Sequence, residues 1–446
     1  MAASLLLELL PQQWQLSITS LILLAVSVPG GAGGVARLGT VSVVVLSSPK
    51  AAREALKVHD PECCSRSPSA GPRMLSYGYK DVAFSPYSNY VRNMRKLFVV
   101  ELLSMRRVEK LIEKLTRNGR NAVAINEHIF STVDGIIGTF ALGETYAAEE
   151  FKDISETMDL LSSSSAEDFF PGSVAGRLVD RLTGLAARRE AIFRKLDRFF
   201  ERIVDQHAAA DDDGPAAARR KADDKGSAGS DLVHELIDLW KMEGNTKQGF
   251  TKDHVKAMLL DTFVGGITTT SVTLHWAMSE LIRNPRVMKK AQDEIRAVVG
   301  EKERVQHHDM PKLKYLKMVV KETFRLHPPA TLLVPRETTR HFKVGGYDIP
   351  EKTKEFIPER FEEMDIDFNG AHFELVPFGS GRRICPGLAM GVANIEFILA
   401  SMLFCFDWEL PHGVRKEDID MEEAGKLTFH KKIPLLLVPT PNKAPN

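Results

Sequence analysis

The sequence predicts a mostly α-helical fold with a small β portion, on three observations. From about Ala51 onward apolar residues recur at spacings of three and four, as in Ile192, Leu196, Phe199, Phe200 and Ile203, which share one helix face. A β-rich run, Val41–Ser47 (VSVVVLS), has the unbroken apolar character of a buried strand. The composition, 43% apolar and 26% charged over 446 residues, is globular and supplies ample core material. That rules against a wholly disordered, collagenous or multi-span membrane chain. Lys+Arg and Asp+Glu are 59 each, so no global field favours nucleic acid as a partner.

Taken in order, Leu16–Val28 (LSITSLILLAVSV) is a largely apolar run of thirteen residues, about 20 Å of helix against a hydrocarbon core of about 30 Å. Pro29, Gly30 and Gly31 stop it, and acidic Glu8 sits where a signal peptide carries basic charge. Residues 1–28 therefore read as a short or truncated membrane anchor, and residues 35–440 as one domain. Within that domain 185–207 is helical. At 208–230 (AAADDDGPAAARRKADDKGSAGS) large apolar residues vanish, which predicts a mobile surface linker. A long helix begins at an N-cap, Thr251, and ends near Arg283, before Asn284-Pro285. Its middle, Gly265-Gly266 followed by Thr268, Thr269, Thr270 and Ser271, costs about 0.5–1 kcal/mol per glycine. Either a crossing helix needs small residues there, or something must approach the backbone and use the hydroxyls. Met310–His327 reads as a further helix on which Glu322 and Arg325 are surface neighbours.

Four cysteines show no CxxC spacing, so structural zinc is disfavoured and any cysteine chemistry belongs to a single thiolate. Cys63, Cys64 and Cys405 read as inert thiols. Cys385 differs. It lies in Pro377–Gly391 (PFGSGRRICPGLAMG), a glycine-rich loop ahead of an amphipathic helix over 389–403. A helix N-terminus and the adjacent Arg382 and Arg383 would stabilise a sulfur anion able to ligate a metal.

Phe378, Gly381, Arg383, Cys385 and Gly387 match F-x-x-G-x-R-x-C-x-G, the haem-binding loop of the cytochrome P450 family, which this chain resembles. A chance match of five fixed positions is on the order of one in ten thousand. Glu322-x-x-Arg325 matches the family's ExxR, and Pro358-Glu359-Arg360-Phe361 its PERF segment. Gly265-Gly266-Ile267-Thr268-Thr269 occupies the place of its oxygen-activating A/G-G-x-D/E-T. The resemblance implies a haem-thiolate fold holding haem b (iron protoporphyrin IX), with Cys385 as axial ligand and metal-binding residue. It implies Arg383, Arg95 and Arg336 at the propionates, Thr269 with Thr268 in proton delivery to dioxygen, and a structural triad of Glu322, Arg325 and Arg360. It places substrate walls at Phe263, Gly265, Ala330, Thr331, Leu332 and Val334. Electrons would come from a separate NADPH-cytochrome reductase, since no GxGxxG follows a predicted strand. Lys96, Arg106 and Arg107 are candidates for its docking face, or merely solvated charges.

Stretches such as PQQWQ (11–15), CCSR (63–66), ELLSMRRV (101–108), SAEDFFP (165–171) and HPPATLLVPRET (327–338) resemble plant membrane-bound members acting on aldoximes in cyanogenic-glucoside synthesis. What this implies is a monooxygenase of the endoplasmic reticulum membrane, on its cytosolic face, that dehydrates a small aromatic aldoxime to a nitrile and hydroxylates it. Five departures bear on that. Thr268 replaces the acid before the catalytic threonine, and Val91 replaces a tryptophan four residues before Arg95. The proline-rich hinge with the first helix and strand is missing, as is a segment between Arg107 and Asn121. Only EKTKEFI separates Pro350 from Pro358, which bears on whether Arg360 reaches Glu322. The fold is thus incomplete against the family's pattern. The competing readings are an inactive or unstable haem-binding paralogue and an oxygen-independent haem-thiolate dehydratase or isomerase.

Overall fold

The computed structural model describes residues 33–38, 40–46, 48–98, 105–143, 154–212, 231–243, 249–337, 356–364, 366–425 and 427–442. The hydrophobic segment 1–28, most of the 208–230 linker and the 338–355 connection lie outside these residues.

The main helices are α1 (Ala70–Leu75), α2 (Asn89–Met94), α3 (Met105–Arg117), α4 (Ile125–Leu142), α5 (Ile154–Leu161), α6 (Ala166–Phe169) and α7 (Val174–Leu182). They continue with α8 (Leu185–Asp212), α9 (Leu232–Glu243), α10 (Lys252–Arg283), α11 (Pro285–Val299), α12 (Lys314–Leu326), α13 (Arg360–Glu363) and α14 (Leu388–Cys405). Strands are few and short. β1 (Gly33–Leu38) and β2 (Val41–Leu46) form an antiparallel hairpin. β3 (Val123–Ala124), β4 (Phe406–Glu409) and β7 (Leu436–Pro441) make an antiparallel sheet with β7 central, and β5 (Glu423–Gly425) pairs with β6 (Phe429–Lys431).

The predicted buried strand is instead one arm of that hairpin, with Val44 58% exposed. Two strands alone cannot cover both of their faces, so an apolar run stays partly wet. The helix predicted over Met310–His327 is split. Pro311 falls in a 3₁₀ segment, His307–Lys312, and α12 begins only at Lys314.

α10 is the axis of the molecule, packing against α4, α5, α8, α9, α12 and α14. Thr251 takes up its N-cap position as expected. The 389–403 segment is not amphipathic: from Ile395 to Phe404 all but Glu396 are buried, because α14 is enclosed by α3, α10, α11 and α12. Both α10 and α14 are long and apolar enough to cross a bilayer, but 72% and 61% of their apolar windows lie inside the fold, so they serve as core. The two glycines of α10 divide the alternatives between them. A Cβ on Gly266 would lie 2.7 Å from Ile137 Cδ1, so that glycine admits α4. A Cβ on Gly265 would meet nothing within 4 Å, so that glycine opens onto free space.

Candidate active site

The Cys385 loop is built from turns that only glycine tolerates. Gly381 has φ +66°, and a Cβ there would fall 2.3 Å from the Leu56 carbonyl and 2.6 Å from Asp60 Oδ1. The Cys385 N–H donates to the Phe378 carbonyl (2.8 Å), and Ile384 N–H to that of Gly381 (3.1 Å). Phe378 meets Phe324 edge-on at 5.2 Å and lies 5.7 Å from Phe368, so three aromatic rings seat the loop on α12. Gly387 is the N-cap of α14, two residues beyond Cys385.

Burial raises the Cys385 thiol pKa, while a Gly387 N–H and the Arg95 charge oppose it without prevailing. The expected help from Arg382 and Arg383 is not what the structure provides. Arg382 turns to Asp60 at 2.9 Å. Arg383 is buried and donates to the carbonyls of Cys64 (2.7 Å), Val82 (3.0 Å) and Ser85 (2.6 Å). A half-buried sulfur of this kind becomes an anion when a cation binds it, as a coordinating thiol does at a metal.

Around the loop stand more guanidinium groups than the nearby acids can balance. Arg336 pairs with Asp60 (3.1 Å) and donates to the Ser380 carbonyl (2.7 Å). Arg95 donates to the Ile384 carbonyl. Arg66 donates to the carbonyls of Ala83 (2.8 Å), Val334 (2.6 Å) and Pro335 (2.9 Å). Burial, and then repulsion from Arg383 and Arg336, pull the Arg66 pKa down to about 9. Asp60 meanwhile divides its oxygens between Arg336 and Arg382. Sequence reasoning missed Arg66; its motif, CCSR, carried no sign of a charge role. A group bearing two carboxylates and a metal cation complements this arrangement of the half-buried Cys385 thiol and clustered arginines, so the residues present fit haem.

Beside α10 lies a cavity of about 150 Å³ lined by Gly265, Thr269, Ala330 and Val334 among others. Thr269 Oγ1 donates to the Gly265 carbonyl at 2.6 Å. The Thr268 hydroxyl is buried with no hydrogen-bond partner among the described residues. Three of the expected wall residues lie elsewhere. Phe263 is fully buried against Phe200 (6.2 Å), Thr331 is exposed and donates to the Pro328 carbonyl (3.2 Å), and Leu332 is 55% exposed. Two acids that no motif signalled line the cavity instead, Asp81 and Asp261. Asp261 accepts from the N–H groups of Val82 (2.7 Å) and Ala83 (3.0 Å), and Asp81 from that of Phe84 (2.9 Å). Burial pushes Asp81 up to about 6 against those N–H bonds. Burial and the neighbouring Asp81 charge hold Asp261 well above the usual carboxylate range.

The third constellation closes despite the short connection before it. Glu322 is fully buried and accepts Arg325 Nε (2.7 Å) and Nη2 (2.9 Å), Arg360 Nε (3.0 Å) and the Ile357 N–H (2.8 Å). Val91, at the tryptophan position, is fully buried in the core. Of the basic residues considered for docking, Arg107 is turned inward and donates to Thr139 Oγ1 (3.1 Å), while Lys96 is exposed.

Comparison with known proteins agrees with this geometry. The sequence profile described as Cytochrome P450 matches residues 35–354 and 351–438, two stretches that meet at the short connection. The chain is 52% identical to 4-hydroxyphenylacetaldehyde oxime monooxygenase of Sorghum bicolor, over 91% of this chain and 82% of that protein. It is 45% identical to 2-methylbutanal oxime monooxygenase of Manihot esculenta, over 91% and 84% respectively. A zebra fish cytochrome P450 solved with abiraterone superposes with a TM-score of 0.71 at 19% identity, covering 92% of this chain and 97% of that one, which establishes likeness of fold. Profile, relatives and fold converge, and the chain belongs to the cytochrome P450 family, as a haem b-binding monooxygenase that takes electrons from a redox partner.

Proposed function

We propose that the chain converts a small aromatic aldoxime to a 2-hydroxynitrile. The observation that carries this is the 52% identity to an enzyme named as an oxime monooxygenase, spread over nearly the whole chain. The first step is a dehydration, in which R–CH₂–CH=N–OH loses water to give R–CH₂–C≡N. The second inserts one oxygen atom of O₂ to give R–CH(OH)–C≡N, the other leaving as water with two electrons and two protons. Haem held by the Cys385 sulfur would supply dioxygen activation, because a thiolate donates electron density that favours O–O cleavage.

Cys385 is the sulfur ligand in this proposal, and Arg95, Arg336 and Arg383, joined by Arg66, hold the propionates. Gly265 leaves space over α10 for the substrate, between Thr269 on one side and Ala330 and Val334 on the other. Loss of the oxime hydroxyl needs a proton. The Asp81 and Asp261 carboxyls hold one in the same cavity, in the pH range where an ordinary carboxyl is ionised. Thr269 passes protons in the oxygen-dependent step, and Thr268, which is neutral, cannot supply an anionic relay. The redox partner is an NADPH-cytochrome reductase, and the location is the cytosolic face of the endoplasmic reticulum membrane.

Expression with haem precursor tests the proposal. The reduced protein with carbon monoxide should absorb near ~450 nm, and Cys385→Ser should abolish that band. With reductase, NADPH and 4-hydroxyphenylacetaldehyde oxime, the hydroxynitrile should accumulate; without NADPH and oxygen, it should not. An unchanged band in Cys385→Ser would end the haem-thiolate assignment, and a band without oxime turnover would mark an inactive paralogue.

A further inference from the structure

A second cavity, of about 160 Å³, lies among α1, α6, α7 and α8. Its lining brings together Arg73, Arg177, Arg181 and Arg189 with Glu167 and Asp180. Arg189 is 2% exposed and stands against Gly71, where a Cβ would come within 3.2 Å of its Nη2. Its Nη2 donates to the Ser163 carbonyl, but its Nε has no acceptor among the described residues. A buried guanidinium N–H without an acceptor is costly, because water has been removed and nothing replaces it.

The acids nearby do not meet this demand. Asp168 gives one oxygen to the Ala70 N–H (2.8 Å) and the other to the Ser165 N–H (2.8 Å). Asp180 gives its oxygens to the N–H groups of Ala166 (2.8 Å) and Glu167 (3.3 Å). Glu167 stands 3.5 Å from Arg73 and 3.9 Å from Arg177, long and single contacts. Arg181 has no carboxylate within 4.0 Å among the described residues. Four guanidinium groups therefore meet three carboxylates, two of which, Asp168 and Asp180, already spend their oxygens on backbone N–H groups.

We propose that this cavity binds the phosphate group of a phosphate mono- or diester. Guanidinium forks arriving from α1, α7 and α8 suit a compact oxyanion with several acceptor oxygens better than a single carboxylate. At about 30 Å³ for each water, the cavity holds about five waters, which a phosphate can displace. Two sources share this chemistry, free phosphate esters and lipid headgroups. The second is relevant because α7 exposes Val174, Leu178 and Leu182 at spacings of four, on a face flanked by Arg177 and Arg181.

The test uses the haem-loaded full chain. Inorganic phosphate is titrated calorimetrically. Sedimentation is then compared with vesicles of phosphatidylcholine alone and of phosphatidylcholine containing phosphatidic acid. Phosphate binding, or a preference for the phosphatidic acid vesicles, is expected, about tenfold weaker in Arg181→Gln. The exposed Arg415→Gln, which is not part of the cavity, should behave as wild type. Because Arg189 is buried and its loss could unfold the region, Arg73→Gln is the second variant and should weaken binding likewise. Phosphate binding without vesicle preference assigns a soluble ester, and vesicle preference assigns a headgroup. The proposal is overturned if neither ligand binds, or if Arg181→Gln and Arg415→Gln lose affinity equally.

Discussion

Glu322→Gln separates a structural triad from a chance cluster. The Glu322 carboxylate is fully buried and takes four N–H donors, three of them from the guanidinium groups of Arg325 and Arg360. Glutamine keeps the shape but turns an amide donor toward cations and leaves them without a counter-charge. Breaking one side of a buried ion pair costs about 3–5 kcal/mol. At about 2.1 cal/mol/K per residue, the unfolding entropy of 446 residues is about 0.9 kcal/mol/K, so Tm should fall by about 3–5 °C. Arg360→Gln removes the Nε–Glu322 bond from a side chain that is 23% exposed, and should cost about half as much. The assay is scanning calorimetry of haem-loaded protein at one scan rate, on both single variants and the double variant. Coupling predicts that the double variant loses less than the sum of the singles. A Glu322→Gln protein within about 1 °C of wild type, or strictly additive losses, would refute the argument that Arg360 closes onto Glu322.

Three further outcomes follow from the same geometry. Thr268→Asp should raise hydroxylation relative to dehydration, measured as the ratio of hydroxynitrile to nitrile; an unchanged ratio counts against a missing acid at that position. Asp81→Asn should slow nitrile formation by about tenfold or more and remove the decline in rate as pH rises through about 6, the value to which burial pushes Asp81; a normal pH profile with normal rate would exclude the Asp81 carboxyl as the proton source. His327 stacks on Trp276 at 4.0 Å, with Glu280 2.8 Å and Glu423 3.5 Å away. Burial lowers its pKa, but these two carboxylates outweigh burial and raise it above 6.5. Its stabilising contribution is therefore complete below pH 6.5 and is lost as pH rises through the raised value. Glu280→Gln should flatten that loss in a series of Tm measurements from acidic to alkaline pH, and an unaltered slope would assign it to another group.

The order of motifs along the chain was readable because each depends on local chemistry. Gly381 must be glycine where its backbone turns with positive φ against Leu56 and Asp60, and Thr251 caps a helix by its own geometry. Helical periodicity likewise marked α8, although helix hydrogen bonding carries it on to Asp212, past the point where apolar spacing ends. Environment was harder to read. The apolar run at 41–47 reads as a buried strand and 389–403 as an amphipathic helix, yet Val41–Leu46 is a half-wet hairpin arm and the second segment belongs to a helix enclosed by four others. Burial depends on what lies across from a residue, and that partner is usually far away in sequence.

Electrostatics show the same division more sharply. Cys385, Glu322, Arg325 and Arg360 announce themselves by spacing, since each stands in a short pattern. Nothing local to Arg66, Asp81 or Asp261 marks them. Asp261 meets the Val82 and Ala83 amides across 179 and 178 positions, and Arg66 meets the Val334 and Pro335 carbonyls across 268 and 269. Covalent neighbours dictate which backbone turns are open to the chain, and so which loop can carry a thiol. Charge balance, by contrast, is a sum over everything within a few ångströms in a medium of low dielectric, so only the folded arrangement decides which acids keep their protons and which arginines await an anion.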